Sequence, residues 1–257
     1  WAQARTTSEL RPGDGTELNQ LRAVQDAMSV DSLVSSRQVR QDVRNVNDIA
    51  NAFDDITYRK GAGVIAMFER LLGKDAFRTG IASYLNAHRG GNATADDLFA
   101  ALSVAAGRDV GAPFRTFVNQ PGVPLVQATL ACSPQGNYLS LKQSRHLPLG
   151  SAGDPSRTWQ IPVCVRVPDG KTTKETCTLL TGPEGSLPLP TSTCPAWVMP
   201  NAEAAGYYVF SMPPADMKKL TTTAYKDLSA TERLAVVHSL RTSFSRGTCV
   251  SSSGSGA

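Results

Sequence analysis

FDDITYRKGAGVIAMF, residues 53–68, places one tyrosine, Tyr58, just ahead of an apolar stripe that carries two glycines, Gly61 and Gly63. Gly61, Val64, Ile65, Phe68, Leu71 and Leu72 recur at the spacing of one helix face, and Gly73 ends the pattern. Asp54 and Asp55 supply the negative charge that favours a helix N-terminus. A glycine inside a helix costs about 1 kcal/mol relative to alanine, so two of them call for an offsetting gain, such as close approach of another backbone or of a ligand. Tyr58 falls near the predicted start of this helix, where side chains commonly face a cleft. A phenol with a reference pKa of about 10 is protonated at neutral pH and can donate a hydrogen bond. Periodicity alone reads the same tyrosine as a half-buried core residue.

Helical spacing extends outward on both sides, over roughly residues 17 to 110. Leu18, Leu21, Val24, Gln25 and Met28 predict an earlier helix, and DSLVSSRQVRQDV (31–43) is too rich in Ser and Asp to continue it. Phe77, Ile81, Tyr84, Leu85 and His88 predict a later helix, stopped by Gly90 and Gly91. Thr94 is placed to cap the next one, with Asp96 and Asp97 in its first turn ahead of Leu98 and Leu102. Asn92-Ala93-Thr94 also matches a glycosylation sequon, but the cap is the preferred reading of Thr94.

The pattern changes at FVNQPGVP, where Pro121 and Pro124 interrupt any helix. VPLVQATLAC, NYLSLKQSRH, TWQIPVCVRV, ETCTLLT, AWVMP and GYYVFSM are short strand candidates, separated by the turn clusters SPQGN, PDGK and TGPEG. Their number and spacing predict a small antiparallel β-sandwich. From ADMKKL (215–220) helical periodicity returns, with Leu234, Val237 and Leu240 as the apolar face of a last helix. At 257 residues the chain is longer than one usual domain.

Composition narrows the function classes. Hydrophobic residues make up 41% and charged residues 19%, and no apolar run approaches the roughly 20 residues needed to cross a bilayer, so no membrane span is expected. The net charge of +4 comes from scattered Lys and Arg, which argues against nucleic acid as a partner. Cys132, Cys164, Cys177 and Cys194 cluster in the middle, while Cys249 stands apart. Without C-x-x-C spacing, this cluster reads as disulfides formed in a periplasmic or extracellular compartment, with all three pairings open; small apolar core residues in a reducing cytosol are the alternative. The three histidines, His88, His146 and His238, lie far apart and outside any H-E-x-x-H, so each reads as a surface or helix-end residue and no metal ligand is assigned. GKTT (170–173) is not a phosphate loop, because Val165 stands where the first glycine should be. No G-x-S-x-G nucleophile elbow occurs. Trp1 at the start and the polar stretch after it suggest a chain cut from something larger, and SSSGSGA at the end reads as a flexible tail.

Read together, DSLVSSRQV (31–39), DIANAFDDITYRKGAGVIAMFERLLG (48–73), FRTGIASYLNAHRGGNATADDLFAAL (77–102) and NQPGVPLV (119–126) resemble, in order and spacing, the aminopeptidase N family of zinc metallopeptidases. TWQIPVCV (158–165) and AWVMPNAEAAGYYVF (196–210) look like that family's small β-domain, so the likeness covers nearly the whole chain. Its most specific part is FDDITYRKGA, in which Tyr58 matches the family's catalytic tyrosine and Lys60 and Gly61 belong to the same signature. Gln38 departs from the proline common after SSR, and the family's H-E-x-x-H, its later glutamate ligand and the motif that grips the substrate amino group are missing; in the family they lie upstream.

The resemblance implies a multidomain α and β chain. Residues 1–118 would be the helical second half of a thermolysin-like catalytic domain, 119–213 an antiparallel β-sandwich, and 214–257 the first helix of a C-terminal helical domain with its tail. It implies an intact parent that binds zinc, releases N-terminal residues from peptide substrates and uses Tyr58 to stabilise the tetrahedral oxyanion. This chain would then hold no cofactor, pack against the upstream half of the catalytic domain and be inactive alone. The two glycines would reflect helix packing beside the active-site wall. The reading from another class is a non-catalytic structural or protein-binding module on the same fold.

Overall fold

The computed structural model describes residues 1–41, 45, 46, 49, 54 and 56–247; Phe53, Asp55, Cys249 and the SSSGSGA tail lie outside the described residues. The first helices are α1 (Ala2–Leu10) and α2 (Thr16–Asp31). A π-helical turn, Ile56–Lys60, then leads without a break into α3 (Gly61–Leu72). They are followed by α4 (Lys74–Ala87), α5 (Ala95–Ala106) and α6 (Gly111–Val118).

Local chemistry accounts for most of these boundaries. In α3, Val64, Met67 and Phe68 are buried at helical spacing, and Gly73, at φ +81°, stops the helix. Thr94 caps α5 in a reciprocal box: Asp97 N donates to Thr94 Oγ1 at 3.3 Å, and Thr94 N donates to Asp97 Oδ2 at 2.7 Å. Two helices escape the sequence reading. α1 buries none of its own residues and shows no apolar stripe; Trp1 anchors it, donating to Glu69 Oε2 at 2.8 Å and packing its ring 5.3 Å from Phe77. α6 lies just past the predicted helical stretch, and Pro113 sits in its first turn, where a missing N–H is tolerated. Phe114 of α6 stacks on Phe68 with ring centroids 3.9 Å apart.

The strands are β1 (Val123–Ser133), β2 (Gly136–His146), β3 (Ile161–Asp169), β4 (Thr172–Leu180), β5 (Glu184–Pro188) and β6 (Val209–Ser211). One sheet runs β5-β2-β1-β6 and a second holds β3-β4. Val126, Ala128, Leu139 and Leu141 of the first sheet share one buried cluster with Ile161, Val163 and Val165 of the second and with Phe68, Phe114 and Phe117 of the helices.

Three strand expectations are corrected. AWVMP forms only a single bridge, Arg166 to Met199, because Pro195 and Pro200 flank it and cannot donate to a ladder. TGPEG is only partly a turn: β5 begins at Glu184 and pairs with β2, and with Leu187 as its one buried residue it shows almost no alternation. The pairing is not wholly antiparallel, since β6 runs parallel to β1, which the long connection through β2–β5 makes possible.

The last segment holds two helices where one was expected, α7 (Pro214–Thr222) and α8 (Ala230–Ser245), because Ser229 starts a new one with a capping box to Glu232. The buried face of α8 is also not the expected one. Val237 and Leu240 are exposed, whereas Glu232, Ala235, Val236, Ser239 and Thr242 are buried. The small residues allow close contact with β6, where Phe210 N donates to Ser239 Oγ at 3.3 Å.

Two disulfides close among the described cysteines, Cys132–Cys194 and Cys164–Cys177. The second joins directly opposite residues of β3 and β4. No helix among the described residues is long and apolar enough to cross a membrane.

Candidate functional site around Tyr58

Tyr58 sits in the middle of the π-helical turn, and its side chain is 61% exposed, so helical periodicity alone, which would half-bury it, is overruled. The extra residue of a π-helical turn shifts the side chains before it out of phase with the helix that follows. Ile56 and Lys60 turn inward while Tyr58 turns out.

Lys60 is fully buried, and so is its partner Asp31, the last residue of α2. Four donors converge on the Asp31 carboxylate. Lys60 Nζ at 2.9 Å and the Tyr207 hydroxyl at 3.1 Å donate to Oδ2. Ser36 Oγ at 2.7 Å and the Gly122 amide at 2.8 Å donate to Oδ1. Lys60 also donates to the Gln120 carbonyl at 3.2 Å and lies over the Tyr207 ring, 5.6 Å from its centroid. A buried charge is tolerated only when it is paired and its hydrogen-bonding capacity is met, which this cluster achieves for the carboxylate. Burial pulls the Lys60 ammonium below the usual lysine range, and Asp31 opposes that pull. Burial, reinforced by the Asp31 charge, pushes the Tyr207 phenol well above the usual tyrosine range, so it serves as a neutral donor. The hub thereby ties α2, the π-helical turn, the linker ahead of β1 and the segment ahead of β6 to one carboxylate.

A second clamp acts on the outer side of the turn. Arg37 Nε donates to Asp54 Oδ2 at 3.0 Å and Arg37 Nη2 donates to Thr57 Oγ1 at 3.3 Å. Asp54 Oδ1 in turn accepts from the Thr57 amide at 3.0 Å, and Tyr58 N donates to the Asp54 carbonyl at 3.1 Å. Burial pushes the Asp54 carboxyl up, but the Thr57 amide and Arg37 together hold it below the ordinary range.

Sequence reasoning singled out Tyr58 and noted Lys60 and Gly61, but it passed over Asp31 and Arg37 as parts of a connector. The signal for Asp31 was present: it continues the Val24, Ala27, Met28 face of α2, and Lys60 likewise precedes Val64 and Met67 on the buried face of α3. Charges of opposite sign on two inward faces point to a buried pair. Of the two glycines, only Gly63 is a packing residue. A Cβ at Gly61 would meet nothing within 4 Å, so the expectation that both glycines reflect helix packing is corrected for Gly61.

No described residues around Tyr58 offer a zinc donor set. His88 is at the end of α4 near Asp97, and His146 and His238 are largely buried elsewhere, each held near pKa 4 by burial first and then by neighbouring arginines. Among the described residues, one cluster of potential metal donors occurs, Cys164, Glu175 and Cys177, and both of its sulfurs are committed to a disulfide. A cavity of about 520 Å³ lies beside α1, α2 and α3, with Trp1, Arg5, Glu17, Glu69 and Arg70 on its wall, but Tyr58 does not line it.

Residues 1–117 match the family model described as the Peptidase family M1 domain. The chain is 35% identical over 148 residues to aminopeptidase N of Lactobacillus helveticus, covering 57% of this chain and 17% of that protein. It is 34% identical over 145 residues to the tricorn protease-interacting factor F2 of Thermoplasma acidophilum, covering 56% and 18%. With aminopeptidase M1 of Arabidopsis thaliana it shares 31% identity over 197 residues, covering 71% and 21%. The chain thus spans about a fifth of the length of these relatives.

Proposed function

Belonging as it does to the aminopeptidase N family of M1 peptidases, the chain is, we propose, part of a zinc-dependent aminopeptidase that releases N-terminal residues from peptides, with Tyr58 as the donor to the oxyanion. The observation that carries this reading is an exposed phenol on a backbone turn clamped from both sides. Negative charge appears on the scissile oxygen only as the tetrahedral intermediate forms, so a donor fixed beforehand strengthens its bond toward the transition state. Because H-E-x-x-H does not occur in the sequence, this reading assigns the metal and the activation of water to residues outside this chain. This chain alone is therefore expected to be inactive.

In this reading residues 1–118 are the helical second half of a thermolysin-like catalytic domain that packs against the upstream half. Residues 119–213 are its β-sandwich companion and residues 214–257 open a helical domain. The two disulfides support a periplasmic or extracellular setting.

Tyr58→Phe in the longer, zinc-loaded protein tests the assignment. The expected result is a loss of about 100- to 1000-fold in turnover with zinc content unchanged. Near-normal turnover would remove Tyr58 from the chemistry. A second reading, a non-catalytic structural or protein-binding module, draws on the missing H-E-x-x-H in the sequence. A longer protein that holds no zinc and hydrolyses no aminoacyl substrate would establish it.

A further inference from the structure

We propose that the segment from Asp31 to Arg37 is a positioning element for Tyr58, holding the turn that carries it by one grip from inside and one from outside. This rests on the reading of Tyr58 as the oxyanion donor. Tyr58 is 61% exposed, so core packing does little to place it, and the backbone that carries it sets where its side chain starts. That backbone is the π-helical turn, and its two ends are gripped by residues six positions apart, Asp31 at the end of α2 and Arg37 in the segment that follows. Asp31 takes Lys60 at the inner end through a fully buried ion pair. Arg37 takes Asp54 and Thr57 at the outer end. Ser36, between them, donates to Asp31, so the loop itself is tied to the inner grip. The Gly122 amide on the same carboxylate fixes the whole arrangement to the start of β1, and at φ +108°, with Arg145 Nε 2.9 Å from any added Cβ, that position requires glycine.

Arg37 and Lys60 are thus positioning residues, acting on the reaction only through the place of Tyr58. Arg37→Met removes the outer grip at a partly exposed site and should leave the chain folded. In the longer, zinc-loaded protein it should lower kcat by about tenfold or more with KM within about twofold, since a misplacement near 1 Å is enough to lose about 100-fold. Arg37→Lys should restore part of the rate. Arg37→Met added to Tyr58→Phe should cost no more than about a further twofold, because the residue it positions is already disabled.

A readout independent of zinc is amide exchange in the 257-residue chain. In Arg37→Met the amides of Thr57, Tyr58 and Arg59 should exchange about tenfold faster or more, while those of Val64 to Phe68 stay unchanged. Unchanged exchange at Thr57–Arg59 would overturn the proposal, as would a kcat loss that adds in full to that of Tyr58→Phe. If Tyr58→Phe itself retained normal turnover, the oxyanion assignment would fall, and the exchange measurement would still decide whether this loop orders the turn. Should Lys60→Met fail to fold, Asp31→Asn, which keeps the carboxamide oxygen as an acceptor, probes the inner grip by the same exchange readout.

Discussion

Gly63 brings α3 so close to α2 that a Cβ built on it would lie 2.8 Å from Val24 Cγ1 and 3.0 Å from Tyr207 Cδ2. Gly61, two residues earlier in the same helix, faces open space. Gly63→Ala should therefore destabilise the chain by about 1–3 kcal/mol through overpacking. Gly61→Ala should stabilise it by about 0.5–1 kcal/mol, because alanine fits a helical backbone and restricts the unfolded chain. Urea unfolding followed by circular dichroism measures both, and equal effects at the two positions would refute this distinction.

Arg166 of β3 and the fully buried Glu232 of α8 form a second ion pair joining the sheets to the last helix. Glu232 also accepts from the amides of Ser229 at 2.9 Å and Glu203 at 3.2 Å, and Arg166 donates to the Asp227 carbonyl at 2.9 Å. Removing one partner from a buried pair leaves a charge uncompensated. Arg166→Met is expected to cost about 3–5 kcal/mol, and Glu232→Gln on top of it to cost clearly less than it does alone. A double-mutant cycle in denaturant decides it, with strict additivity as the contrary outcome.

His146 and His238 are each held at about 4 in the folded chain, against about 6.5 for an unperturbed histidine. Between those values the unfolded chain binds more protons than the folded one, so stability rises with pH. It is present in full above about 6.5 and is lost as pH falls toward about 4. Asp54, Asp96 and Asp97, whose carboxyls are lowered in the folded chain, lose their contribution only at lower pH. The melting temperature should drop on acidification from pH 7 to 4.5, and His146→Asn should flatten that slope. A melting temperature constant over the window would contradict the burial of both imidazoles.

Cys132–Cys194 closes a separation of 62 residues and Cys164–Cys177 one of 13. On loop length, removing the first pair by serine substitution should cost about 4 kcal/mol and removing the second about 3 kcal/mol. Alkylation followed by mass measurement is the direct check: Cys132, Cys164, Cys177 and Cys194 should resist reagent until a reductant is added. Labelling of all four without reductant would show them to be thiols.

Much of the fold was legible because short-range rules were enough. The cap at Thr94, the stop at Gly73, the β1–β2 hairpin with its turn at SPQGN and the helical stripe through Phe68 depend on spacings of two to four residues and on the backbone freedom of glycine. The likeness of FDDITYRKGA to a peptidase signature was likewise a local reading. Local rules failed where a partner distant in sequence overrode the pattern. The stripe of Leu234, Val237 and Leu240 lost to a face of small residues around the Glu232 ion pair, and α1 is a helix because Trp1 reaches Glu69 and Phe77.

By itself the sequence determined the succession of a helical stretch, a strand-rich stretch and a return to helix, and the likeness to a peptidase family that singles out Tyr58, since each follows from residues near one another along the chain. Only the tertiary structure decided which cysteines pair, which of two glycines is a packing residue, and that Asp31 and Lys60, 29 residues apart, share one buried site. The reason is physical: an ion pair or a disulfide needs two groups brought within a few ångströms by the packing of other elements, and no spacing rule along the chain encodes that distance.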